Sequence, residues 1–131
     1  MKKILVIDDS ETIRQQVKHA LAATGCEIVE AVDGIDGLEK LRAMNDLDIA
    51  LCDVNMPRMN GLELCMTLRG AGLAADCEII SVNGAATARD RELLSRLGVR
   101  QTLTKTPAIS RTIVDLMKTS RRRYLASSAG A

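Results

Sequence analysis

The sequence predicts an α/β protein: five βα units wound into one doubly wound parallel sheet. Three observations carry that expectation. Short apolar runs of strand length alternate with segments whose apolar residues recur at helical spacing. Glycines and helix-capping residues punctuate the joins. Several runs emerge onto a polar residue, as strands buried on both faces do at their ends. A length of 131 residues suits a single domain, which at this size buries about two thirds of its unfolded surface.

The elements follow in order. Ile4–Ile7 is the first strand and ends in Asp8-Asp9. Ser10 is placed to cap the first helix, and Glu11 suits the positive end of its dipole. Ile13, Val17, Ala20 and Leu21 share one helical face, and Gly25 closes the helix. Cys26–Val32 reads as the second strand. Asp33 caps the second helix, with Leu38 and Leu41 turned inward. Ile49–Cys52 is the third strand and delivers Asp53. Met56–Met59 is a loop, and Asn60 with Glu63 forms a capping-box pattern that opens the third helix, with Leu64 and Leu68 inward. Ile79–Val82 is the fourth strand, ending at Asn83. Thr87 and Asp90 open the fourth helix, which carries Leu93, Leu94 and Leu97 and stops at Gly98. Val99–Thr104 is a weak fifth strand ahead of Lys105. Ile109, Ile113, Leu116 and Met117 mark the last helix, which Arg121–Arg123 extend or follow. Residues 1–120 are expected to form the domain and 121–131 a basic helix end and disordered tail.

Strands joined through helices are parallel, with right-handed crossovers. Five units are too few for an eight-fold barrel. An open sheet remains, and its commonest five-stranded winding is the flavodoxin-like order 2-1-3-4-5.

Composition narrows the function. Apolar residues make up 47% and charged residues 27%, which excludes disorder for most of the chain. No apolar run approaches the roughly 20 residues of a membrane span. The start Met1-Lys2-Lys3 resembles a signal peptide, but Asp8 and Asp9 end its apolar stretch too soon, so a cytoplasmic location is expected. None of the four cysteines (Cys26, Cys52, Cys65, Cys77) forms a C-x-x-C pair, which argues for reduced thiols and against structural zinc. The lone His19 falls within the first helix and reads as a surface or boundary residue. One Tyr, no Phe and no Trp leave an aliphatic core and little means of stacking on RNA bases. Residues 1–60 carry seven basic and eleven acidic side chains, and residues 61–131 carry eleven and six. The acidic half suits a cation. The basic half suits an acidic partner or an ordinary solvated surface.

In an open α/β sheet the site lies at the carboxyl ends of the strands. That rule selects Asp8, Asp9, Asp53, Asn83 and Lys105. With strands one and three adjacent, three carboxylates converge and repel one another. A divalent cation relieves the repulsion, and carboxylate oxygens with waters suit magnesium. The backbone carbonyl of Asn55 stands ready as a further ligand, and Lys105 would balance a bound phosphoryl group.

These residues resemble those of the receiver domains of two-component response regulators, the stand-alone chemotaxis type above all. The matching stretches are Ile7-Asp8-Asp9-Ser10, then Asp53-Val54-Asn55-Met56-Pro57-Arg58-Met59-Asn60-Gly61, then Lys105. The resemblance covers about residues 3–120. It implies that Asp53 accepts a phosphoryl group from a histidine kinase or histidine phosphotransfer protein. It implies Mg²⁺ (or Mn²⁺) held by Asp8, Asp9, Asp53 and the Asn55 carbonyl, with Lys105, Asn83 and Gly84 on the phosphoryl group. Such a protein is a signalling phosphoacceptor, and it catalyses only its own phosphorylation and dephosphorylation. Met56-Pro57 and Gly61 are expected to shape the turn and helix start.

Three departures affect the output half. The family has Thr or Ser where this chain has Asn83; Ser81 shares that face but lies one strand repeat deeper. It often has an aromatic ring three residues before the Lys, where this chain has Thr102. Its Lys is followed directly by Pro, whereas Thr106 precedes Pro107 here. The expectation is therefore a single-domain receiver, phosphorylated on Asp53, with an atypical switch, signalling to an unknown protein through helix four, strand five and helix five. The rivals are a phosphate shuttle or sink, which needs no switch, and a degenerate module acting without phosphate. A dehalogenase-type phosphatase places Asp-x-Asp after strand one, which the adjacent Asp8-Asp9 does not match. Arg121-Arg122-Arg123 read as a solubilising helix end rather than a DNA contact.

Overall fold

The structure, a computed structural model, describes residues 2–56, 58–84, 87–99, 101–106 and 108–117. Its elements run β1 (Lys3–Ile7), α1 (Glu11–Leu21), a 3-10 turn (Ala22–Thr24), β2 (Glu27–Ala31), α2 (Gly34–Ala43), β3 (Ile49–Asp53), α3 (Gly61–Gly70), β4 (Glu78–Asn83), α4 (Ala88–Arg96) and β5 (Gln101–Thr104). A final helix, α5, occupies 109–117. The five strands form one sheet of order β2-β1-β3-β4-β5, and every neighbouring pair is parallel. The predicted winding is the one observed.

Strand alternation sorts the core into two layers. Ile4, Val6, Ile49, Leu51 and Ile80 face α1 and α5, meeting Val17, Leu21, Ile113 and Met117. Leu5, Ile7, Ala50, Cys52 and Ile79 face the other way, against Leu38 and Leu41 of α2, Leu64 and Leu68 of α3, and Leu94 of α4. β3, central in the sheet, is buried along its whole length. That continuous burial explains its unbroken apolar run. The edge strand β2 is only part-buried and carries Glu27 and Glu30, charges that discourage pairing with another chain.

The predicted caps hold. The Ser10 hydroxyl accepts from Ile13 N, and the Asp33 carboxylate accepts from Asp36 N. Asn60 with Glu63 and Thr87 with Asp90 each form a reciprocal capping box.

All five strands differ in their limits from expectation: β1 begins one residue earlier, at Lys3, and β3 runs one residue further, to Asp53. β2 is shorter than 26–32: Cys26 is half-buried ahead of it, and Val32 follows it, 51% exposed. β4 begins one residue earlier, at Glu78, and includes Asn83. β5 begins at Gln101, because Val99 belongs to the close of α4. Gly98 takes a left-handed φ of 86°, and the Val99 N–H reaches back to the Leu94 carbonyl. Val99 is buried as expected, but as a helix-terminal contact. His19 is exposed in the last turn of α1. All four cysteines are free, and burial pushes the Cys65 and Cys77 thiols up to about 11 and about 12. Arg121–Arg123 and the expected tail lie outside the described residues.

Candidate functional site

β1 and β3 are neighbours, so their carboxyl ends deliver Asp8, Asp9 and Asp53 to one place. Their carboxylate oxygens come within 4.8 Å of one another. Asp8 and Asp53 are 3% and 4% exposed, while Asp9 faces solvent. Beneath the two buried carboxylates the floor is apolar, lined by Val6, Ile13, Val17, Leu51 and Val82.

Each buried carboxylate has one oxygen tied to the backbone. Asp8 Oδ1 accepts from Ser10 N at 2.9 Å, and Asp53 Oδ1 accepts from Asn55 N at 3.1 Å. The other oxygens share one cation. The Lys105 ammonium lies 3.0 Å from Asp53 Oδ2 and 3.2 Å from Asp8 Oδ2. Lys105 thus reaches the site although Thr106 follows it; the Thr106–Pro107 peptide lies outside the described residues. The Lys105 N–H donates to the Asn83 carbonyl, which extends the β4–β5 pairing to the site's edge.

Burial dominates the electrostatics of Asp8. It raises the carboxyl pKa; the Ser10 N–H opposes this, Asp53 adds repulsion, and Lys105 opposes again. For Lys105 burial alone would favour the neutral amine, but the hydrogen bond to Asp53 and the charge of Asp8 hold its pKa above the usual value.

Asn83 is 1% exposed at the end of β4. Its side-chain oxygen accepts from Asn55 Nδ2 at 2.9 Å. Gly84 follows it, exposed at the rim. Thr102 is not brought to the carboxylates. It pairs in register with Ser81, on the face of β4 opposite the one that Ile80 turns to α1 and α5. The Ser81 hydroxyl is buried and has no hydrogen-bond partner among the described residues.

The β3–α3 loop returns closely on itself. Gly61 N donates to the Val54 carbonyl, and a Cβ at Gly61 would sit 2.6 Å from the Asp53 carbonyl oxygen. Only glycine permits that approach. Met56 packs partly buried against the α2–α3 layer; Pro57 lies outside the described residues.

Three contacts around the site escaped the sequence reading. Arg14 Nη1 donates to the Asp8 carbonyl at 2.7 Å while its Nε pairs with Glu30. Arg58, at a left-handed φ of 68°, pairs with the buried Asp33 that caps α2. Asn55 and Asn83 form the amide pair. Arg14 alone left a trace in sequence, as a cation one helical turn past the capping Ser10.

Hard oxygen donors clustered this closely fit a magnesium ion that keeps some of its waters. A carboxylate at a strand's carboxyl end beside a lysine can accept a phosphoryl group. The chain belongs to the response regulator receiver domain family, whose model matches residues 4–116. Receiver domains are signalling phosphoacceptors rather than conventional enzymes.

Among relatives, the chemotaxis protein CheY1 of Helicobacter pylori is 40% identical over 81 residues, 61% of this chain and 65% of CheY1. That match spans just under two thirds of the relative's length. Protein PilG of Pseudomonas aeruginosa is 32% identical over 103 residues, 79% of this chain and 76% of PilG. In structure the chain resembles the response regulator TrrA of Thermotoga maritima, solved in complex with Mg²⁺ and BeF. The TM-score is 0.74 at 30% identity, covering 90% of this chain and 98% of TrrA.

Proposed function

We propose that this chain is a cytoplasmic receiver domain that takes a phosphoryl group onto Asp53 from a histidine kinase or histidine phosphotransfer protein, with an atypical conformational response. The convergence of Asp8, Asp9 and Asp53 beside the Lys105 ammonium carries the reading. An Asp53 carboxylate oxygen attacks phosphorus. The P–N bond of the phosphohistidine breaks as the new O–P bond forms. Its electron pair stays on the imidazole nitrogen, leaving a neutral ring when the other nitrogen carries the proton. Lys105 offsets the charge that gathers on the transferring oxygens. Mg²⁺, or Mn²⁺ on the same hard donors, would be held by Asp8, Asp9, Asp53 and the Asn55 carbonyl, and would supply further charge neutralisation. TrrA, with its Mg²⁺ and BeF, supports that assignment. The Asn83 amide and the Gly84 backbone N–H would complete the phosphoryl contacts. Output passes to a protein partner over α4, β5 and α5, without DNA or membrane.

A second reading, a phosphate shuttle or sink, is favoured by one observation: Thr102 brings no ring to the switch face beside Ser81. Such a protein would return its phosphoryl group to a phosphotransfer histidine. A module acting without phosphate is disfavoured by the retained carboxylates and their lysine.

Acetyl phosphate with MgCl₂, read by intact mass, tests the reading. Wild type should gain one base-labile phosphoryl group in MgCl₂ and none when EDTA replaces it, and Asp53→Asn should gain none. Asp9→Ala should bind Mg²⁺ at least about tenfold more weakly. An unchanged adduct on Asp53→Asn would place the nucleophile elsewhere.

A further inference from the structure

The geometry points to Asn83 as a positioning residue for metal capture: fixed at the end of β4, it holds Asn55 and so orients the backbone carbonyl that would ligate the cation. This rests on the magnesium site proposed above.

Asn55 sits in an exposed loop, where a backbone carbonyl ordinarily wanders. Two hydrogen bonds converge on it. Its N–H donates to Asp53 Oδ1 at 3.1 Å, and its Nδ2 donates to Asn83 Oδ1 at 2.9 Å. The first fixes the peptide plane before Asn55. The second anchors the side chain to the end of the neighbouring strand, at a residue 1% exposed. Between them they hold, from two sides, the Cα from which that carbonyl projects.

Asn83 is itself held firmly. It lies in β4, and its backbone carbonyl accepts the Lys105 N–H at 2.9 Å. One residue therefore ties the β5 lysine and the β3–α3 loop to the same strand end. Reach matters as well. The amide oxygen stands one bond further from the backbone than a Ser hydroxyl, so Ser at this position falls short of Asn55. Groups that orient a metal ligand without touching the metal typically change affinity by about 10–100-fold. Asn83 belongs to that class. Its bond to Asn55 is present before any phosphoryl group arrives, so the loop is set for the cation from the start.

The test is Mg²⁺ titration at constant ionic strength, followed by amide NMR shifts, on wild type, Asn83→Ala, Asn83→Ser, Asn55→Ala and the Asn55→Ala/Asn83→Ala pair. Each single variant should weaken Mg²⁺ by about tenfold. The double variant should be no weaker than the worse single one, because both remove the same bond. Ile80→Val, a truncation in β4 facing the opposite layer, should lower the metal-free melting temperature without changing Mg²⁺ affinity, so general loosening is distinguished from loss of aim. Affinities of both Asn83 variants within about twofold of wild type, or fully additive losses, overturn the inference. If wild type binds no Mg²⁺, all six proteins are equally silent; the metal reading then fails, and this inference with it.

Discussion

Lys105 holds Asp53 at 3.0 Å, and the same ammonium reaches Asp8 at 3.2 Å, so one cation from β5 secures two buried carboxylates from different strands. The carboxylates are 4% exposed as side chains and the lysine 26%, so water reaches the cation better than its partners. Two anions against one cation leave the metal-free pocket with surplus negative charge.

Removing the cation should therefore cost stability. Lys105→Ala leaves two buried carboxylates without their shared partner, and about 1–3 kcal/mol is expected, below the full cost for a deeply buried pair because solvent reaches the lysine. Excess Mg²⁺ should restore much of the loss. Urea midpoints measured in EDTA and in MgCl₂ check this. An unaltered midpoint in EDTA would mean that the ion pairs contribute nothing net.

Asp8 gives a prediction with a definite sign. Its folded-state pKa is raised above 3.8, so the folded protein binds the proton more tightly than the unfolded chain. Stability then falls as pH rises from 3.8 through the higher folded value, and the full cost is present above that value. Asp8→Asn should melt higher than wild type at pH 7 in EDTA. Its advantage should shrink as pH is lowered through that window. In MgCl₂ wild type should gain more than the variant. A variant that melts lower at pH 7 in EDTA would contradict the electrostatic account.

The tight return at Gly61 makes a steric prediction. In Gly61→Ala the new methyl meets backbone, 2.6 Å from the Asp53 carbonyl oxygen, and no flexible side chain can yield. Overpacking of this kind costs about 1–3 kcal/mol. Because the displaced backbone belongs to Asp53, Mg²⁺ affinity should drop together with the melting temperature. Gly70→Ala is the control, since a Cβ there meets nothing within 4 Å. Equal behaviour of the two variants would show that the loop relaxes freely.

The departures at Asn83 and Thr102 predict a restricted response. A ring that moves inward can bury 150–250 Å², whereas Thr102 has little apolar area to exchange. A ligand shifts two states only by its differential affinity for them. Beryllofluoride with Mg²⁺ should perturb amides near Asp9, Asp53, Asn83 and Lys105 and leave α4 and α5 nearly unmoved. Large shifts spreading through residues 89–116 would mean that another element does the ring's work.

Much of this was legible in the sequence because it follows from period and position. Apolar runs one strand long, capped helices and the parallel-sheet rule suffice to bring Asp8, Asp9, Asp53 and Lys105 together. Val99 was misassigned because an apolar residue after a glycine reads alike whether it opens a strand or closes a helix; the bond to Leu94 decides it. The Asn55–Asn83 pair joins residues 28 apart. It depends on strand register and loop shape, which no local pattern encodes. The Arg58–Asp33 pair needs Arg58 in a left-handed conformation that nothing in its neighbours announces.

The aliphatic core has a practical consequence. The chain's single Tyr is Tyr124, so no Phe, Tyr or Trp occurs in residues 2–117. Those residues therefore contribute almost nothing of their own to near-ultraviolet absorbance or intrinsic fluorescence. The same silence is useful. A single tryptophan placed at Met66, a position 57% exposed on α3, would be the only indole in the molecule. Its indole emission could then be assigned to one place without deconvolution.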